Sequence, residues 1–94
     1  MRKAAKVDAN QEQVVSVLRG YGATVQSLAT VGKGVPDLLV GYRGRNFLME
    51  VKDGSKIPSL RKLTPDQEIW HSGWKGSVCV VNTPSEAVKA LLED

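Results

Sequence analysis

The chain has 94 residues, 13 Lys/Arg against 10 Asp/Glu, a formal net charge of +3 and 41% apolar residues. That length supports one modest core, read here as a single domain over 1–94, and no apolar run approaches the roughly 20 residues of a membrane span. A lone cysteine, Cys79, and a lone histidine, His71, exclude an intrachain disulfide and an ordinary zinc site, and no glycine-rich nucleotide loop calls for a small-molecule cofactor. The reduced thiol suits an intracellular protein, as does the lack of an apolar signal core behind the basic N-terminus.

Residues 1–7 read as a basic, flexible arm carrying Arg2, Lys3 and Lys6. Asp8 with Gln11 three residues on forms a capping-box pattern, and Val14, Val15, Leu18 and Tyr21 recur at helical spacing, so a helix is expected over 9–19. Gly20 and Gly22 offer left-handed caps. One turn back from the apolar stripe, the inward position is Gln11, with Glu12 at the flank. A first strand is expected over 23–28. A basic glycine loop, 30–34 with Lys33, then leads to Pro36 and Asp37.

Residues 35–52 read as two apolar strands around the turn Tyr42-Arg-Gly-Arg45. Both strands are apolar on both faces, as if covered on both sides. Residues 53–63 read as a loop whose Lys56, Arg61 and Lys62 project beside the end of the hairpin. Thr64 caps a helix with Pro65 at its first position and Gln67 three residues on, running to about 72–74. Ile69, Trp70 and Trp74 read as core anchors. His71 reads as a packing or surface residue. A short buried strand over 77–81 follows, then a second capping box, Thr83 to Glu86, opening a last amphipathic helix. The expected order is α-β-β-β-α-β-α, an α/β fold with a mixed sheet flanked by helices. No large exposed apolar stripe for a protein partner is legible.

The hairpin concentrates charge at its open end. Strand side chains alternate, so Glu50 and Lys52 share a face, and a turn centred near Gly44 sets Asp37 opposite residues 50–52. Two converging carboxylates repel unless one holds a proton or a cation lies between them. A hard divalent ion such as Mg²⁺ answers this with oxygen ligands: Asp37, Glu50 and the Val51 carbonyl. Lys52 then stands where it can help activate water and stabilise charge on an attacked phosphate. The same three charges also suit a structural ion pair. Residues 1–62 carry eleven Lys/Arg and five Asp/Glu, and residues 63–94 carry two and five, so the basic excess lies with the cluster. That points to a polyanion, nucleic acid first.

Pro36-Asp37 followed by Glu50-Val51-Lys52 resembles the PD-(D/E)XK nuclease motif. Together with Gly34-Val35-Pro36-Asp37, Met49-Glu50-Val51-Lys52 and Leu63-Thr64-Pro65-Asp66-Gln67 with Trp70 following, nearly the whole chain resembles the small stand-alone VRR-NUC proteins of phages and bacteria. The resemblance implies a restriction-endonuclease-like core and Mg²⁺- or Mn²⁺-dependent cleavage of DNA in a bacterial or phage-infected host cytoplasm. It implies Asp37 and Glu50 as metal-binding carboxylates and Lys52 as the residue that orients water. It further implies a homodimer acting on branched DNA such as four-way junctions. Many relatives place a glutamate on the inward face of the first helix. Here Gln11 is the positional match and Glu12 the chemical one. Gln67 has two readings, capping box and contact to the site. Alternatives left open are a nickase or restriction-like nuclease acting on plain duplex, and a binding module that keeps the fold without chemistry.

Overall fold

The computed structural model of the protein describes residues 9–93, so the arm with Arg2, Lys3 and Lys6 and the expected cap Asp8 lie outside the described residues. Helix α1 spans Ala9–Gly20. Strands β1, Thr24–Ser27, β2, Leu38–Tyr42, and β3, Arg45–Val51, follow. A 3-10 turn, Pro58–Leu60, precedes helix α2, Pro65–Gly73, and then come strand β4, Cys79–Val81, and helix α3, Pro84–Leu92. The order is the expected one. The sheet runs β1-β2-β3-β4, antiparallel except between β3 and β4. A parallel neighbour needs a crossover, and α2 lies on that connection.

The hairpin turn has only two residues, Arg43 and Gly44, because Tyr42 pairs with Arg45. Both turn residues have positive φ, 51° and 77°, the pattern whose twist matches right-twisted strands. Extending the register from Leu38 opposite Met49 sets Asp37 opposite Glu50. The sheet's alternation then decides everything about the two faces. Leu38, Val40, Met49, Val51 and Val81 form one face and pack against Val14 and Leu18 of α1 and Ala87 and Leu91 of α3. Burying each of these side chains contributes about 1.5–3 kcal/mol for the larger ones. Arg45 adds a polar tie by donating from Nη2 to the Leu91 carbonyl at the end of α3, 2.9 Å.

The opposite face departs from expectation. Leu39, Leu48 and Val80 point there, and Leu39 is 37% and Val80 38% exposed. The hairpin is therefore covered on one face and half open on the other. The reason is α2, which buries no residue. Ile69 is 73% and Trp74 45% exposed, and Trp70 stacks on Trp74 with ring centroids 4.6 Å apart. The tryptophans pack on each other rather than anchoring a core. An apolar surface does exist, then, and it was illegible because the residues come from four separate elements.

Smaller departures have local causes. Tyr21 is exposed because α1 ends at Gly20 and Gly22, at φ 93°, turns the chain away. Strand β4 is shorter than expected, and of its residues only Val81 is buried. The stretch 53–63 is mostly loop but holds the 3-10 turn. Thr83 caps α3 through the Glu86 N–H, 3.1 Å. Glu86 reaches past it to the Asn82 N–H, 2.8 Å, so the reciprocal box is not closed. No helix among the described residues is long and apolar enough to cross a membrane.

Candidate active site

Asp37 ends the glycine loop and enters β2. Its backbone carbonyl accepts from Leu28 N–H, 2.8 Å, and its Oδ2 accepts from the Val51 N–H, 2.8 Å. The backbone of the neighbouring strand therefore fixes the orientation of the carboxylate. Glu50 is on the same strand as Val51, 2% exposed. Its Oε2 accepts from Gln67 Nε2, 3.2 Å, and lies 3.9 Å from Lys52 Nζ. Its Oε1 is buried and has no hydrogen-bond partner among the described residues. Burial first, and then the adjoining Asp37 carboxyl, push the Glu50 carboxyl up to about 8, against a lowering by Lys52. A carboxyl so placed keeps its proton, shared toward Asp37, unless a cation replaces it.

Lys52 leaves β3 on the Glu50 side, and its Nζ donates to Gln67 Oε1, 2.7 Å. Gln67 thus bridges the two charged residues. The amide can sit only one way round, because the Lys52 ammonium and the Thr64 N–H only donate and both meet the same atom, Oε1. The same Oε1 accepts from Thr64 N–H, 2.9 Å, and Gln67 N–H donates to Thr64 Oγ1, 3.2 Å. Gln67 makes two sets of contacts at once: it closes the capping box at the helix start, and its side chain reaches Lys52 and Glu50.

Two contributors were not visible in the sequence. Asn10 donates from Nδ2 to the Lys52 carbonyl, and at 3.5 Å to the Asn82 carbonyl, stapling α1 to the ends of β3 and β4. In the chain it reads only as a first-turn residue. Gly34, at φ 82°, lies against α2: a Cβ there would stand 2.3 Å from the Asp66 carbonyl oxygen. The glycine loop therefore seats the helix that carries Gln67. The Gly-Lys-Gly run was the available signal, but it reported flexibility rather than a close approach.

Of the first-helix pair, Gln11 is buried and Glu12 exposed. His71 lies one turn beyond Gln67. Its Nε2 is buried without a hydrogen-bond partner among the described residues, and burial, then the Lys52 charge, hold the imidazole below its usual range. It is neutral at neutral pH and adds no charge beside Lys52. Lys33 and Lys56 are exposed in loops flanking the cluster, with Arg61 half-buried and Lys62 exposed just before α2.

No three of His, Cys, Asp and Glu converge among the described residues. The acidic set is the pair Asp37 and Glu50. Mg²⁺ is commonly held by one or two carboxylates while keeping waters and taking substrate phosphate oxygens. The hard oxygens here, with the buried Glu50 Oε1 lacking a donor, fit such an ion. The Val51 N–H donates to Asp37, and its side chain belongs to the core.

No family model matches the sequence, and no curated protein matches it. A solved structure of a VRR_NUC domain does. It is 29% identical, the match covers 84% of this chain and 86% of that one, and the TM-score is 0.62.

Proposed function

We propose, from the premise that the chain belongs to the VRR-NUC family of PD-(D/E)XK nucleases, that it is a metal-dependent, structure-selective DNA endonuclease. It hydrolyses phosphodiester bonds in branched DNA such as four-way junctions, as a homodimer. The observation that supports this most is the buried Glu50 with an oxygen lacking a donor, set beside Asp37 and bridged by Gln67 to Lys52.

Asp37 and Glu50 would hold the cation, Mg²⁺ or Mn²⁺, with the Val51 carbonyl. When bound, it supplies Lewis acidity toward the phosphate and lowers the pKa of water. Lys52, fixed by Gln67, orients the attacking water and stabilises negative charge gathering on the phosphate. Gln67 keeps Lys52 and Glu50 in register without adding charge. Gln11 occupies the first-helix position and supplies a neutral carbonyl, with Glu12 the acidic alternative beside it. The arm residues Arg2, Lys3 and Lys6 and the loop residues Lys33, Lys56, Arg61 and Lys62 are the expected phosphate grips. Among the described residues the chain carries one such cluster. Symmetric incision of a junction therefore takes two chains related by a two-fold axis.

The test uses labelled four-way junction and linear duplex of the same sequence, with Mg²⁺, Mn²⁺ or chelator. Paired nicks in the junction only, lost with chelator or with Lys52→Ala, are expected. Equal cutting of both substrates would make it a duplex nickase, and salt-dependent binding without cutting in any metal would make it a binding module.

A further inference from the structure

A cavity of about 490 Å³ opens between α1 and the β1 edge of the sheet. Its helix wall is formed by Gln11, Glu12, Ser16 and Arg19, with Ser27 on the strand side and Leu38 on its floor. With Val15, the helix residues form two rows spaced by four, Gln11-Val15-Arg19 and Glu12-Ser16, so they line one side of α1. At 1.5 Å per residue the wall extends about 12 Å from Gln11 to Arg19. Arg19 bonds Val25 at one end of the groove, and β1 runs from there to Ser27, beyond which the Leu28 N–H donates to the Asp37 carbonyl. The Ser27 and Leu38 end of the groove therefore lies beside the backbone of Asp37, and the Arg19 end lies away from it.

Its charge is graded. Glu12 stands at the cluster end and Arg19 at the far end, with two serine hydroxyls between carboxylate and guanidinium. Arg19 donates from Nη2 to the Val25 carbonyl, 3.3 Å, which steadies the side chain. A guanidinium carries five N–H donors in a planar fork that suits phosphate, and four are left after that bond. A strand of nucleic acid rises about 3.4 Å per nucleotide, so 12 Å spans a few backbone phosphates.

We propose that this groove seats the strand flanking the scissile bond, with Arg19 gripping a backbone phosphate two to four nucleotides from the cut. The proposal rests on reading the cluster as a phosphodiester-cleaving centre. It differs from the other candidate grips in being a formed groove with several lining residues. Ser16 and Ser27 add neutral hydroxyl contacts along the path. The apolar floor carries no base-specific donors, so the groove tracks backbone rather than sequence.

The test measures binding of fluorescent DNA to the whole protein in chelator, with wild type, Arg19→Ala and Arg19→Lys, across a salt series. Loss of one phosphate contact flattens the slope of log affinity against log salt by about 0.9 and weakens binding about tenfold at low salt. Arg19→Lys recovers the slope and part of the affinity. Neutral methylphosphonate linkages placed one at a time beside the cut site then locate the contact. One position two to four nucleotides away weakens wild type but leaves Arg19→Ala unchanged. Melting curves for all three proteins exclude a folding defect as the cause. Unchanged affinity and slope in Arg19→Ala, or a neutral linkage that penalises both proteins equally, overturns the groove while leaving the nuclease reading intact. A wild-type protein that neither binds nor cuts DNA overturns both.

Discussion

At the scale of single residues, Gln67 does two jobs that a substitution separates. Gln67→Ala removes the capping-box acceptor of the Thr64 N–H, costing about 0.5–1.5 kcal/mol of stability. It also frees Lys52 and Glu50 from their shared partner, and loss of such an orienting contact typically lowers activity 10–100-fold. Cleavage rate and melting temperature measured on one preparation should therefore fall out of proportion, the rate far more than the stability. An activity loss no larger than the stability loss would leave Gln67 as a cap alone.

Glu50 makes a second prediction, about pH. Burial, and then the Asp37 carboxyl, push its folded carboxyl up to about 8 from the ordinary value of 4.5. Between those two values the unfolded chain has released this proton and the folded chain still holds it, so stability falls as pH rises through that window. In chelator, the melting temperature should decline from pH 5 to 8, and Glu50→Gln should flatten the decline. Mg²⁺ should raise the melting temperature more at pH 8 than at pH 5, since it takes the place of the proton. A flat profile in the metal-free wild type would show that burial does not govern this carboxyl.

At the scale of elements, α2 is the unusual one. It buries no residue, yet it carries Gln67 into the cluster. Its placement depends on a polar anchor at one end and on Gly34 lying against Asp66. Gly34→Ala is both strained at φ 82° and too large for the 2.3 Å approach. It should displace the start of α2 and cut activity at least tenfold, while amide exchange in the sheet stays protected and exchange in α2 speeds up. The hairpin turn offers the opposite test. Arg43 sits at φ 51° next to Gly44, where asparagine is the favoured partner of glycine. Arg43→Asn should raise stability by about 0.5–1 kcal/mol in denaturant melts.

At the scale of the whole molecule, the charge asymmetry and the half-open sheet face matter together. The basic excess of residues 1–62 should make DNA binding steeply salt-dependent, losing orders of magnitude between about 50 and 200 mM salt. Sedimentation of the purified protein should give twice the chain mass, as paired incision requires. A monomer that still makes paired nicks would overturn the two-chain reading. The open face with Leu39, Val80 and Trp74 is an apolar feature that the described helices leave partly uncovered.

Much of this was written in the chain because it depends on near neighbours. Helix starts follow from Thr64, Pro65 and Gln67, and from Thr83. The hairpin follows from its turn, and strand alternation alone sets Glu50 and Lys52 on one side. The meeting of Asp37 with Glu50 needs only a two-residue turn and a count of positions. The tertiary structure decided what depends on contacts between distant segments. Asn10 meets Lys52 across 42 positions of chain, and no local pattern encodes such a staple. Gly34 is required by a helix 32 residues further on. Whether Leu39 or Trp74 is core or surface depends on how closely α2 approaches the sheet, which hydrophobicity cannot report. Local physics names the charged cluster, and only packing reveals what holds it and how dry Glu50 is.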